Sequence, residues 1–243
     1  YCGISNIRLW KRSFEKYHLT QTPENGFGET PLKKYRRHIF LLHPNKVVIY
    51  DELEANEKVR WDWLLHSPVK FDINPAASIL TTVNKEKGFS SVVQLFCEQE
   101  AAITQTDKYA APPNHADAPR GEDFTDPWSL TASFGPSRNN RILTIIQVEA
   151  DGRQAVQIMR EGNTFRCGEW VIEAELNAKR PGRLYIRNSR NNAVFSYVDK
   201  KQEINGELYS CKEKDASVLF DCVNGEWTVQ EMGDQRVQTM GKW

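Results

Sequence analysis

The sequence predicts an all-β protein, a large antiparallel two-layer β-sandwich with little helix. Short segments rich in Val, Ile, Phe, Tyr and Thr recur along the chain and are bounded by Gly, Asn, Asp or Pro. Glycines punctuate the second half, and Asn224-Gly225 is a strong two-residue hairpin signal. The best helical candidate, residues 4–17, follows a 3.6-residue period only loosely. Strands therefore dominate the expected fold.

The clearest predicted strands lie near the start of the chain. Residues 37–43 and 46–53 flank a His-Pro-Asn turn, and residues 59–66 follow the polar stretch 54–58. We expect these three runs to form a meander in one sheet. Further strands are expected at 77–83, 91–98, 101–106, 128–134, 141–149, 155–160, 169–175, 183–188, 193–197, 217–222 and 226–230.

A chain of 243 residues is long enough for one large β domain or two small ones. We expect a single β-sandwich over residues 1–243, with the long, Pro-rich, acidic segment 109–126 as its candidate point of subdivision. The chain opens at Tyr1 without a Met or a charged-then-apolar leader, which predicts a fragment of a longer chain. No run approaches the roughly 18 apolar residues of a membrane helix.

Charge and motif content exclude several classes of protein. Lys and Arg total 32, as do Asp and Glu, so the formal net charge is zero and a basic nucleic-acid-binding field is not expected. None of the five cysteines forms a CxxC pair, which excludes a zinc ribbon. The sequence has no GxSxG, HExxH, P-loop or GxGxxG motif, and no carboxylate pair that suggests a glycosidase.

A basic cluster, Lys33, Lys34, Arg36 and Arg37, opens the predicted meander. Guanidinium groups bind carboxylates and sulfates at two points, so this cluster suits an acidic polysaccharide. The same charges also fit a solvated edge strand that they protect from aggregation. The sequence leaves both interpretations open.

Trp61 and Trp63 alternate with Asp62 and therefore share one face of a strand. Exposed tryptophans would stack on sugar rings, whereas buried ones would belong to the core. Leu65 continues the same face and favours the core.

Asp51 and His66 are candidate metal ligands, together with His38 or His43. Histidine and aspartate can form a mixed nitrogen and oxygen site for a metal ion. Asp51 at a strand end can equally accept hydrogen bonds from a turn, and His66 can cap its strand. Alternation along strands does not show whether these side chains converge.

Two groups of strand motifs resemble a known family. The first comprises Arg36-Arg37-His38, Pro44-Asn45-Lys46-Val47-Val48-Ile49-Tyr50-Asp51 and Trp63-Leu64-Leu65-His66-Ser67. The second comprises Trp128-Ser129-Leu130-Thr131-Ala132 and Arg141-Ile142-Leu143-Thr144-Ile145-Ile146. Both groups are similar to the β-sandwich region of heparinase II/III-like polysaccharide lyases. The resemblance covers roughly residues 31–150, and the rest is compatible β sequence.

The resemblance implies a division of labour between two domains. Lyases of this family carry an N-terminal α/α toroid that supplies much of the catalytic machinery, and their cleft lies between toroid and sandwich. They neutralise the carboxylate of a uronic acid, remove its C5 proton with His or Tyr, and protonate the leaving oxygen, often with Tyr. The present sequence matches only the sandwich.

The resemblance therefore implies a β-sandwich domain of a secreted or periplasmic lyase that cleaves heparin-like or heparan-sulfate-like glycans by β-elimination. We expect the domain to shape one side of the cleft, to lack catalytic residues of its own and to be inactive alone. The implied partners are an acidic polysaccharide and the absent toroid, and the implied cofactor is a divalent metal, Zn or Ca. The alternative is a non-catalytic carbohydrate-binding or structural module. The expected substrate-binding residues are Lys33, Lys34, Arg36, Arg37, Trp61 and Trp63.

Overall fold

The computed structural model describes residues 32–108, 127–150 and 153–189 in full. It describes the backbone alone for residues 2–5, 194–198, 201–204, 207–210, 217–223, 226–232 and 237–242. Four features of the sequence lie outside the described residues: the segment 19–31, which is rich in Thr, Pro and Gly, the segment 109–126, the turn residues Asn224-Gly225 and most of the helical candidate 4–17. The described part is antiparallel β structure with one short 3-10 turn, Pro75–Ala77, so the prediction of an all-β sandwich is confirmed.

The first sheet contains eight of the described strands, and their order across the sheet is β1-β2-β3-β8-β6-β5-β4, with β7 also paired to β8. Their bounds are β1 Cys2–Ser5, β2 Leu32–Leu42, β3 Lys46–Ser67, β4 Asp72–Asn74, β5 Ile79–Asn84, β6 Phe89–Phe96, β7 Ala101–Thr106 and β8 Trp128–Ala150.

The second sheet also contains eight of the described strands, in the order β18-β17-β16-β13-β12-β11-β10-β9, and β14 pairs only with β15. Their bounds are β9 Met159–Glu161, β10 Thr164–Cys167, β11 Trp170–Ala174, β12 Arg183–Asn188, β13 Val194–Val198, β14 Lys201–Ile204, β15 Glu207–Ser210, β16 Ser217–Val223, β17 Glu226–Met232 and β18 Val237–Lys242.

The predicted break at residues 54–58 is wrong, because β3 continues through it. Glu54 lies opposite Asn139 and Trp61 opposite Phe134, so β3 takes seven steps where β8 takes five. The polar stretch is therefore a bulge that bends the strand without ending it. Leu53 and Trp61, on either side of the bulge, stay on the same face of the sheet, since both belong to one buried cluster.

The first core lies between the two sheets. Phe40, Tyr50 and Ile145 of the first sheet join Phe165 and Ile172 of the second in one buried cluster. Full burial of a large apolar side chain contributes about 1.5–3 kcal/mol, so this cluster is a main source of cohesion between the sheets.

A second core covers the opposite face of the first sheet. It contains Leu53 and Ile142 from one half of β3 and β8, and Trp63 and Leu130 from the other half of the same two strands. Because both halves contribute to one cluster, the first sheet curves around this core. The bend at the bulge is what brings the halves together.

Polar side chains also join the sheets. The Tyr50 hydroxyl donates to the Glu175 carbonyl at 2.7 Å. The Gln147 amide exchanges two hydrogen bonds with the backbone of Val156, at 2.8 and 3.1 Å. Each bond satisfies backbone groups outside the strand ladders, which would be costly to bury unpaired.

Candidate functional site

Strand alternation separates the four members of the predicted basic cluster. On β2, Arg36 and Lys34 share the face of Phe40, which packs towards the second sheet, whereas Lys33 and Arg37 lie on the opposite face. Arg36 is buried, Lys33 is exposed, and the other two are half-buried. The cluster is therefore not a single patch that one anionic group could cover.

Arg37 is bound to Asp51 on the neighbouring strand. Its Nε lies 2.6 Å from Asp51 Oδ1 and its Nη2 lies 3.0 Å from Oδ2. Burial raises the pKa of Asp51, and the Arg37 guanidinium opposes part of that rise. Both carboxylate oxygens are engaged by one cation, so Asp51 does not fit the role of a metal ligand in this arrangement.

A buried charged cluster surrounds Glu52 on the other face of β3. Lys34 Nζ lies 3.4 Å from Glu52 Oε1, His38 Nε2 lies 3.5 Å from Oε2, and Arg141 Nη2 lies 3.9 Å from Oε1. Burial is the main cause of a lowered pKa for His38, which Glu52 partly offsets. His38 is only 1% exposed, so it cannot exchange a proton with a substrate in this conformation. The cluster is structural.

Arg141 extends from this cluster to the connection between β11 and β12. Its guanidinium donates to the Asn177 carbonyl at 2.9 Å and to the Arg180 carbonyl at 2.7 Å. Sequence reasoning missed Glu52 and Arg141. The alternation of Lys34, Arg36 and His38 along β2 was the available signal, since it places three basic groups on one inward face.

Trp61 and Trp63 are core residues, 8% and 4% exposed. This burial leaves no open aromatic face at these positions for a sugar ring to stack on. His66 is exposed, whereas Asp51 is buried. In the part of the chain that the structure describes, no group of three or more His, Cys, Asp or Glu is arranged to hold a metal ion.

An open cleft of about 340 Å³ lies at the connection between β6 and β7. Glu98, Gln99 and Glu100 line one part of it, and Arg160 of β9 lines another. The cleft thus offers two carboxylates, an amide and a guanidinium, which suit a small polar molecule.

The cysteine that lines the cleft is not an activated nucleophile. Its cysteine, Cys97, donates from Sγ to Asn140 Oδ1 at 3.1 Å, and burial raises the pKa of the thiol. The thiol is therefore protonated near neutral pH, and a protonated thiol is a weak nucleophile. The Arg160 guanidinium rests over the Phe165 ring, 5.4 Å from its centroid, which fixes a cation at the wall of the cleft.

No helix in the described residues is long and apolar enough to span a membrane. No protein-family model matches the chain, and no curated protein matches its sequence. Among solved structures, the chain is similar to one described as heparinase III with methylated lysines, at a TM-score of 0.45 and 12% identity. The match covers 75% of this chain and 24% of that one, so this chain spans about a quarter of that protein's length.

Proposed function

We propose that this chain is the β-sandwich domain of a polysaccharide lyase that cleaves uronic-acid-containing glycans by β-elimination. One observation carries the proposal. The motifs that resemble the lyase family come from distant parts of the sequence, yet they occupy three adjacent strands, β2, β3 and β8. Arg37 lies opposite Asp51, Asp51 opposite Ile142, and Trp63 opposite Ala132. The family-like residues thus form one continuous structural unit.

The proposed role of the domain is to shape one wall of the substrate cleft. Of the histidines and the tyrosine in the family-like motifs, His38 and Tyr50 are buried between the sheets, whereas His66 is exposed near the end of β3. Burial raises the pKa of Tyr50 and lowers that of His38. Neither His38 nor Tyr50 is placed to act on a sugar. We propose that the C5 base and the acid for the leaving oxygen come from a toroid domain of the same protein.

The proposed substrate also determines the proposed location. A uronic-acid polymer of the heparin or heparan sulfate kind is an extracellular molecule, so the enzyme would act as a secreted or periplasmic protein. A divalent metal, if the complete enzyme uses one, would need ligands other than Asp51, whose carboxylate is held by Arg37.

The test compares this chain with the full-length product of its gene. Each is incubated with heparin, heparan sulfate, hyaluronan and alginate while the absorbance of the unsaturated uronate product is followed. We expect turnover by the full-length protein, and glycan binding without turnover by the chain alone. A full-length protein that forms no unsaturated product from any of these glycans contradicts the proposal. Glycan binding without such activity would favour the non-catalytic carbohydrate-binding alternative.

A further inference from the structure

The outer face of the second sheet carries two arginines in one row. Arg166 of β10 lies opposite Val171 of β11, and Val171 lies opposite Arg187 of β12. Their chain neighbours Phe165, Ile172 and Ile186 point into the core, so the row faces outwards. Both arginines are exposed. Two strand spacings, about 10 Å, separate their backbones.

The charges of these two arginines are not neutralised by their described neighbours. Glu173, two residues from Val171 on the same face of β11, is bound by Arg183 at 2.9 Å. Glu161 lies on the edge strand in the neighbouring row, opposite Thr164 rather than opposite an arginine. Within residues 32–108, 127–150 and 153–189, no ion pair involves Arg166 or Arg187.

We propose that Arg166, Arg187 and Tyr185 form a binding surface for an acidic glycan chain. Each guanidinium pairs at two points with a carboxylate or sulfate. Their separation across two strands suits a linear chain that carries acidic groups on alternate sugars. Tyr185 lies two residues from Arg187 on β12 and on the same face, so its half-buried ring is offered to a sugar beside Arg187.

The chemistry favours a glycan over a nucleic acid. A nucleic-acid site needs an extended basic field, because affinity grows with the number of phosphates neutralised. The whole chain has a net charge of zero, and the described part of this face presents two cations without an ion pair. The surface therefore fits a polyanion whose charges are separated along the chain. The sugar rings of such a polyanion can pack on an aromatic side chain. The choice of a uronic-acid-containing glycan as the ligand rests on the proposed function.

The experiment measures binding of size-defined heparin oligosaccharides to the chain by titration calorimetry at several salt concentrations. Arg166→Gln and Arg187→Gln are each expected to weaken binding by about tenfold. The slope of log affinity against log salt is expected to fall by about one for each arginine removed. The double variant should lose both contributions.

Arg138→Gln and Arg153→Gln serve as matched controls, since both arginines are exposed and neither belongs to β10, β11 or β12. Wild-type affinity and salt slope in the double variant overturn the proposal and leave the lyase role standing. The binding surface is also overturned if the control variants weaken binding as much as Arg166→Gln and Arg187→Gln do. It is likewise overturned if single-stranded DNA competes as well as the glycan. A wild-type chain that binds no acidic glycan overturns the surface and the domain's proposed role together.

Discussion

Arg37 and Asp51 bind each other across β2 and β3 through two hydrogen bonds, of 2.6 and 3.0 Å. The sequence suggested a glycan contact for the first residue and a metal ligand for the second. The two side chains instead bind each other, with Asp51 buried and Arg37 partly exposed to solvent. Among the ion pairs of the described residues it has the shortest distance between nitrogen and oxygen, 2.6 Å.

Asp51→Asn is expected to lower the free energy of unfolding by about 2–4 kcal/mol, because it leaves the Arg37 cation without its counter-charge. This expected loss of stability is smaller than the loss for a fully buried ion pair, since 26% of the Arg37 side chain is exposed. Urea denaturation followed by circular dichroism measures the change.

The control for this change is Arg183→Gln, which removes an exposed ion pair with Glu173. Exposed pairs contribute about 0–1 kcal/mol, so this variant should unfold close to the wild type. Equal stability of Asp51→Asn and the wild type would show that the buried pair contributes nothing.

Arg141→Lys tests the link from the Glu52 cluster to the second sheet. The lysine keeps the positive charge. Its single ammonium group cannot replace the two guanidinium nitrogens that donate to the Asn177 and Arg180 carbonyls. We expect a loss of about 2–4 kcal/mol, since hydrogen bonds to charged groups contribute roughly 1.5–3 kcal/mol each. The exposed Arg138→Lys is the control, and a loss of similar size there would refute the specific role of Arg141.

Acid destabilisation is expected from His38. Its pKa in the folded protein is lowered, chiefly by burial, from the 6.5 of a free side chain. Between those two pKa values the unfolded chain binds more protons than the folded one, so stability falls as the pH drops below about 6.5. Urea midpoints measured from pH 8 to pH 5 would show this fall.

His38→Gln isolates the contribution of His38 to the pH dependence, because a glutamine does not titrate. All carboxylates are present in both the wild type and the variant, so their effect cancels in the comparison. The difference in unfolding free energy between wild type and variant should therefore change as the pH drops below 6.5. A difference that stays constant over this range would mean that His38 has the same pKa in both states.

The two tryptophans of the second core offer a matched comparison. Trp61 Nε1 donates to the Ser137 carbonyl at 3.2 Å and to its hydroxyl at 3.1 Å. Trp63 Nε1 has no acceptor among the residues that the structure describes. Both phenylalanine substitutions remove the same volume, so Trp61→Phe should cost about 1–2 kcal/mol more than Trp63→Phe. Thermal unfolding measures both, and the reverse order would contradict these hydrogen-bond assignments.

Some strands were predicted with correct bounds from the sequence, whereas others were predicted as two separate strands. The strands Ala101–Thr106 and Arg183–Asn188 have their predicted bounds, because turn-forming residues flank runs of the right period. The runs at 128–134 and 141–149 are one strand, Trp128–Ala150. The intervening Gly135 and Pro136 resemble a turn in sequence, yet they lie exposed where the sheet bends. Short strands such as Asp72–Asn74 were missed because three residues give no period.

The candidate site was predictable only in part. Alternation correctly placed Trp61 and Trp63 on one face, as their shared cluster confirms. Their burial depends on the curvature of the whole sheet, which no local pattern encodes. The partners of Lys34 and Arg37 depend on the register between β2 and β3. The row of Arg166 and Arg187 depends on the pairing of three strands, and so it was not foreseen.

The bulge in β3 sets the angle between the two halves of this long strand. It already absorbs odd offsets, since Glu54 to Val59 takes five steps against two on β8, and Val59 to Trp61 takes two against three. Removing two residues from the segment 56–58 would let β3 pair with β8 without the bulge, and the two halves of the sheet would straighten away from the second core. Changes in length at this point should therefore alter the curvature of the sheet before they alter the face that the tryptophans occupy.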